Sequence, residues 1–165
     1  MVELGRREET LAGRGLLAEL YAAYFPGEMP RILLSPEGKP YFDRSDAPYF
    51  SISHNGELVV CVLDSRGPVG VDVCQVRESS YLKYDALFRR MYGKEEQAYV
   101  MAADTDAEAA RRFYEIWTRK EAAVKKTGVG ISGLSSVNKI LEEAAEVSTF
   151  SLREAGGLYA VSIVS

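Results

Sequence analysis

Apolar residues change period along the chain, and the order of those changes restricts the fold more than any other feature. Leu16, Leu17, Leu20, Tyr21 and Tyr24 recur at helical spacing and predict a first amphipathic helix from about Glu8 to Tyr24, ended by Pro26-Gly27. Short extended runs follow at Arg31–Leu34, Tyr49–Ser53, Glu57–Asp64 and Val69–Val73, divided by Ser35-Pro36-Glu37-Gly38 and Ser65-Arg66-Gly67-Pro68. Asn55-Gly56 reads as a hairpin turn. From about Tyr81 the pattern becomes helical over Leu82–Tyr92, Lys94–Ala102 and Ala107–Lys126, then strand-like at Lys139–Leu141, Val147–Leu152 and Leu158–Val164. Helix, strands, helices, strands is the order of an α+β fold. Leu58-Val59-Val60-Cys61-Val62 and Tyr159-Ala160-Val161-Ser162-Ile163 each follow a glycine-containing turn, a faint repeat that would set two similar halves around a cleft.

Composition narrows the partners. With 165 residues, 47% of them hydrophobic and 27% charged, the chain can bury a compact core. Its net charge of −4 supplies no basic face for nucleic acid or an anionic membrane, so neither is expected, and a phosphate-bearing ligand would need a local cationic cluster. The two cysteines, Cys61 and Cys74, fall in apolar runs, which suits free thiols in a reducing compartment and points to the cytoplasm. The N-terminal MVELGRREETLAGRG has no signal-like apolar core, and no run approaches the roughly 20 apolar residues of a membrane span.

Three places could carry chemistry. His54, the single histidine, follows Ser53 at a strand end, where the two could grip an anionic oxygen; the plainer alternative is a turn histidine capping a local carbonyl. Asp72 stands within Val69-Gly70-Val71-Asp72-Val73, where an unpaired buried charge is costly. A divalent cation would compensate it, magnesium being content with one or two protein carboxylates. Alternatively Asp72 turns to solvent at an edge. Trp117, Glu121 and Lys125 follow at spacings of four on the last long helix and share a face. There the plainer alternative is a core tryptophan beside a surface ion pair.

Taken in order, Lys39-Pro40, Ser53-His54, Gly70-Val71-Asp72 and Trp117-x-x-Lys120-Glu121-x-x-x-Lys125 resemble the 4′-phosphopantetheinyl transferases of the surfactin-synthetase-activating type. The similarity runs from Arg14-Gly15-Leu16-Leu17 to the C-terminus and includes Thr127-Gly128-x-Gly130-Ile131. It implies transfer of the phosphopantetheine arm of coenzyme A to a serine of an acyl or peptidyl carrier protein, with Mg²⁺ and release of adenosine 3′,5′-bisphosphate. By similarity Asp72 and Glu121 hold the metal, Asp72, Glu96, Glu121 and Lys125 serve catalysis, and Glu121 could take the serine proton. Arg14, Lys39, Pro40, Ser53, His54, Asp72, Lys120 and Lys125 fall at coenzyme A positions, with Arg6 and Arg7 vaguer candidates. Glu96 and its neighbour Glu95 could equally be helix-start carboxylates.

The resemblance also implies a monomeric α+β fold of two similar halves, residues 1–80 and 81–165, each a helix on a small antiparallel sheet with the ligand cleft between them. One departure stands out: the family's second acid, two residues after the aspartate, is here Cys74, a soft donor ill matched to hard Mg²⁺. A catalytically silent coenzyme A or carrier-binding domain is therefore the rival reading. Leu82, Phe88, Arg89, Arg90 and Met91 form a basic-edged apolar stripe that could meet an acidic carrier, or could simply be a helix with one core face.

Overall fold

The computed structural model describes residues 2–78, 85–128, 137–154 and 156–165, with side chains from Glu8 in the first helix and from Phe88 in the second. Helix α1 spans Val2–Tyr24 and is followed by β1 (Ile32–Leu34), β2 (Pro40–Phe42), β3 (Tyr49–Asn55), β4 (Leu58–Asp64) and β5 (Gly70–Gln75). Helices α2 (Asp85–Met91), α3 (Lys94–Met101), α4 (Asp106–Thr127) and α5 (Val137–Glu142) precede β6 (Val147–Glu154) and β7 (Gly157–Val164). The α+β class is as expected. Strand β2 is additional to the expected strands, and α1 extends to Val2, beyond the expected start at Glu8.

One expected strand is a helix. Lys139–Leu141 lies inside α5, because Val137, Ile140 and Leu141 recur at i, i+3 and i+4 and dock together on Ala122, Ala123, Val124 and Val164. A three-residue apolar window cannot reveal that stripe. The segment Leu82–Tyr84 and the stretch from Val129 to Ser136, which includes Gly130-Ile131, lie outside the described residues.

The strands form antiparallel sheets ordered β1-β2, β3-β4 and β5-β7-β6. Alternation sorts their side chains between layers. Phe50 and Ile52 face α1, joining Leu17, Tyr21 and Phe42 in one core. Leu58, Val60 and Val62 of β4 pack face to face on Val71, Val73, Tyr159 and Val161, so an apolar layer joins the β3-β4 hairpin to the three-stranded sheet. Helix α4 covers that sheet's other face, against β5 and β7. Because β5 pairs with β7, a cut at residue 80 would divide this single sheet.

Helix α4 is held at both ends. Thr105 Oγ1 accepts a hydrogen bond from Glu108 N–H at 3.2 Å, and Asp106 and Glu108 complement the positive end of the helix dipole. Gly128 ends it in the left-handed conformation at φ 76°, its N–H bonding Val124 O, with Lys125 and Lys126 in the last turn.

Candidate active site between β3, β5 and α4

Gly70 sets the geometry. A Cβ at this position would lie 1.9 Å from Ala122 O and 2.5 Å from Lys126 N, so only a residue without a side chain lets α4 rest directly on β5. Two residues on, the same face of β5 presents Asp72 to that helix. Asp72 is 7% exposed and its charge is met from two elements. Lys125 Nζ donates to Asp72 Oδ1 at 2.6 Å, and Ser53 Oγ donates to the same oxygen at 2.8 Å. Lys125 Nζ also lies 2.8 Å from Ser53 Oγ, closing a three-membered polar cluster from β3, β5 and α4. Asp72 therefore does not turn to solvent.

Ser53 belongs to a row. Ser51 Oγ accepts from Val71 N–H at 3.0 Å, Ser53 Oγ from Val73 N–H at 3.4 Å, and Asn55 Oδ1 from Gln75 N–H at 3.1 Å. Alternate side chains of β3 thus satisfy alternate N–H groups of β5, fixing the two sheets in register without a backbone ladder between them. Ser51 and Asn55 were not among the expected site residues. Their signal is the alternation Ser51-x-Ser53-x-Asn55, which puts the three side chains on one face of the strand.

Glu121 is half-buried one turn before Lys125, with no hydrogen bond or ion pair among the described residues. Burial and the nearby Asp72 carboxylate raise its pKa above the ordinary glutamate range, while the Lys125 ammonium pulls it partly back. Two carboxylates and one ammonium therefore meet at this point. Cys74 follows Asp72 on the same face, and burial first, then Asp72, pushes its thiol up to about 12. At neutral pH it is a neutral thiol, taking a long contact of 3.8 Å from Asn55 Nδ2. No group of three or more ligand-type side chains is assembled for a metal among the described residues.

Lys39 bridges from the β1-β2 hairpin. Its ammonium donates to Lys126 O at 2.5 Å and to Val69 O at 3.4 Å, capping the negative end of α4, and burial together with Lys126 lowers its pKa to about 8. Lys39, Pro40, Ser51, Ile52, Lys125 and Gly128 line a cavity of about 240 Å³. A larger cavity of about 440 Å³ near the start of α4 is lined by Phe88, Val100 and Met101 and sets Arg89 among Asp104 and Asp106. It lacks the lysine pair, so the smaller cavity, which adjoins the charged cluster, is the candidate site.

Other expected residues lie elsewhere. Ser53 and His54 are adjacent in sequence but on opposite faces of β3: Ser53 meets Asp72, whereas His54 faces α1, its Nδ1 3.1 Å from Glu9 Oε2. The two side chains do not converge on one anion. Arg14 is exposed on α1, and Arg6 and Arg7 fall where side chains are not described. Lys120, 1% exposed, pairs with Glu96 Oε1 at 2.9 Å and donates to Asn138 Oδ1 at 3.2 Å. Glu96 also accepts from Gly93 N–H at 2.7 Å at the start of α3, while Glu95 is exposed; of the two acids, Glu96 is the one engaged. Lys120 and Glu96 meet each other rather than bonding Asp72. Trp117 packs against the aromatic core of Tyr92 and Phe113. Phe88 joins that core, its ring tilted against Tyr92 and Phe113, and Met91 packs on it, so of the expected docking stripe only Arg89 and Arg90 are exposed; Leu82 lies outside the described residues.

Comparison with known proteins identifies the family. The family model for the 4′-phosphopantetheinyl transferase superfamily matches residues 68–163, a span containing Gly70, Asp72, Glu121 and Lys125. The 4′-phosphopantetheinyl transferase AcpT of Salmonella typhimurium is 32% identical over 143 residues, covering 87% of this chain and 70% of that protein. The 4′-phosphopantetheinyl transferase Sfp of Bacillus subtilis is 30% identical over 142 residues, covering 84% of this chain and 61% of that protein. An uncharacterized protein of Escherichia coli, YieE, is 45% identical over 69 residues, covering 41% of this chain and 28% of that one. With more than half of the chain matched by the family model and relatives aligned over most of its length, this chain belongs to the 4′-phosphopantetheinyl transferase superfamily.

Proposed function

We propose that this enzyme transfers the 4′-phosphopantetheine arm of coenzyme A to a serine of an acyl or peptidyl carrier protein, releasing adenosine 3′,5′-bisphosphate. The observation that carries the reading is the cluster of Asp72, Lys125, Ser53 and the half-buried Glu121 beside a cavity lined by Lys39 and Lys125. Two ammonium groups near one opening give the local positive charge that a pyrophosphate requires and that the net charge of −4 conceals.

The donor set fits a magnesium ion sparingly. Asp72 and Glu121 offer two hard carboxylates, and Glu121 stands half-buried without a hydrogen bond or ion pair among the described residues. These two residues would hold Mg²⁺, which when bound supplies charge neutralisation on the phosphoryl oxygens. Cys74, neutral and soft, adds nothing to the set.

In the reaction the carrier serine oxygen bonds to the phosphorus that carries pantetheine, and the bond from that phosphorus to the bridging oxygen of the nucleotide breaks. The serine proton passes to Glu121, the half-buried carboxylate beside the cavity-lining Lys125. Lys125, oriented by Asp72 and Ser53, opposes the charge that gathers on the departing phosphate. Lys39 lies on the cavity wall, where it would meet the nucleotide end.

The test is incubation with coenzyme A, Mg²⁺ and a panel of apo carrier proteins, read by intact mass, with Asp72→Ala and Glu121→Ala alongside. A gain of one phosphopantetheine that both substitutions abolish is the expected result. Coenzyme A binding without transfer to any carrier would refute the reading in favour of the silent binder that Cys74 favours.

A further inference from the structure

The last turn of α4 carries Lys125, and a last turn is where a helix is held least, because its final carbonyl groups have no N–H four residues on. Val124 O is answered within the turn, by Gly128 N–H at 3.0 Å and Thr127 Oγ1 at 3.1 Å. Lys126 O is answered from another element. Lys39 Nζ donates to Lys126 O at 2.5 Å and to Val69 O at 3.4 Å, so one ammonium holds the residue after Lys125 and the residue before Gly70. These are the two backbones whose close approach at Gly70 lets Lys125 meet Asp72.

Lys39 is itself held in place. Its N–H donates to Ser35 Oγ at 3.1 Å, and its C=O accepts from Ser35 N–H at 2.9 Å. Gly38, at φ 87°, donates its N–H to Ser35 O at 2.9 Å, so one serine closes the turn that presents the lysine. The side-chain stem lies along Gly128, where an added Cβ would come 3.1 Å from Lys39 Cδ. A long side chain confined on both sides has little rotamer freedom left to lose when its ammonium bonds a carbonyl. Burial first, then Lys126, lowers the pKa of that ammonium, so the two carbonyls hold a cation that its surroundings disfavour.

We propose that Lys39 is a positioning residue for transfer: it fixes the last turn of α4 against the start of β5 and thereby sets Lys125 on Asp72. The proposal rests on the transferase reading given above. Two of the three N–H groups of the ammonium are spent on backbone, which leaves one for a ligand in the cavity that Lys39 lines. Positioning is thus additional to contact with the nucleotide. It predicts an effect in the protein without ligand, which a residue acting on coenzyme A alone would not have.

Proton–nitrogen NMR of the Lys125 ammonium in ligand-free protein, together with the kinetics of transfer, tests this. Lys39→Met should shift or broaden the Lys125 signal, and should lower kcat about tenfold while the KM for coenzyme A changes by less than about threefold. Ser35→Ala keeps the ammonium and loosens the turn that presents it; it should move the Lys125 signal the same way by a smaller amount, and it decides the question if Lys39→Met does not fold. Val100→Ala, in the aromatic core of Tyr92 and Phe113, should leave that signal where it is. A Lys125 signal unaltered by both Lys39→Met and Ser35→Ala overturns the proposal, as does one that Val100→Ala moves as far, or a loss of transfer that falls wholly on KM. If the unsubstituted protein transfers nothing to any carrier, the transferase reading fails on its own, and the ligand-free spectra still show whether Lys39 sets Lys125.

Discussion

Gly70→Ala tests whether the approach of α4 to β5 builds the site. The added Cβ would sit 1.9 Å from Ala122 O, where ordinary contact begins near 3.4 Å, so the helix and strand must part by about 1.5 Å. The obstacle is backbone, which cannot rotate away. A separation of that size carries Lys125 Nζ from 2.6 Å to about 4 Å from Asp72 Oδ1, beyond hydrogen-bonding distance. Overpacking ordinarily costs about 1–3 kcal/mol, and a charge-assisted hydrogen bond is worth about 1.5–3 kcal/mol. Lys125 is 34% exposed, so water replaces part of that bond and the low end of both ranges applies, about 3 kcal/mol together. For a chain of this length that lowers Tm by about 6–12 °C. Transfer activity should fall by about 100-fold, since an ångström of misplacement at the reacting groups has that effect. Gly67→Ala is the control, having nothing within 4 Å of its Cβ. Thermal unfolding by circular dichroism and carrier mass gain supply the two readouts. A Gly70→Ala protein within about 2 °C of the parent, or one with undiminished transfer, would mean that the close approach at Gly70 does not build the site.

Further outcomes follow from the charges at the site. In the metal-free protein the Glu121 carboxyl should titrate at higher pH in Lys125→Met and at lower pH in Asp72→Asn, read by NMR of its carboxyl carbon. Identical titrations in the two variants would mean that neither charge acts on Glu121. Lys39 has a folded pKa of about 8 against an ordinary 10.5, so the unfolded chain holds more protons between those values and stability should climb with pH across that window, by about 1 kcal/mol after allowance for solvent screening. Urea unfolding at pH 8 and 10 should show this gain, and Lys39→Met should remove it. Cys74→Glu places a hard donor beside Asp72 and should lower the Mg²⁺ concentration for half-maximal transfer about tenfold; an unchanged value would mean that this position does not face the metal.

Features that depend on local spacing were legible in the sequence. The first helix, the Asn55-Gly56 hairpin, the strand around Asp72 and the long helix of Trp117, Glu121 and Lys125 all occur close to where the residue pattern places them, the first helix starting earlier, at Val2. The hairpin is shifted by one residue, because Gly56-Glu57 forms the loop and Asn55 ends the strand. Where a segment is short, local spacing fails: Lys139–Leu141 reads as strand, yet three side chains at helical intervals find Ala122, Ala123 and Val124.

The site needed information of another kind. That Asp72 is buried could be inferred from its apolar neighbours, but its partners lie 19 and 53 residues away, on Ser53 and Lys125. Period two should have separated Ser53 from His54, since neighbouring strand residues point to opposite faces; the motif joined what the pleat divides. The same alternation in Ser51, Ser53 and Asn55 marks a polar stripe, and a polar stripe on a strand usually means solvent. Here it faces the bare N–H groups of β5, held opposite by an apolar layer formed from β4, β5 and β7. Gly70 shows the same dependence: alone it reads as a weak point in a strand, and its necessity appears only once α4 lies across it. The chemistry is therefore written in residue types along the chain, while its geometry comes from one glycine and one serine–asparagine row that bring α4, β5 and β3 to a common point.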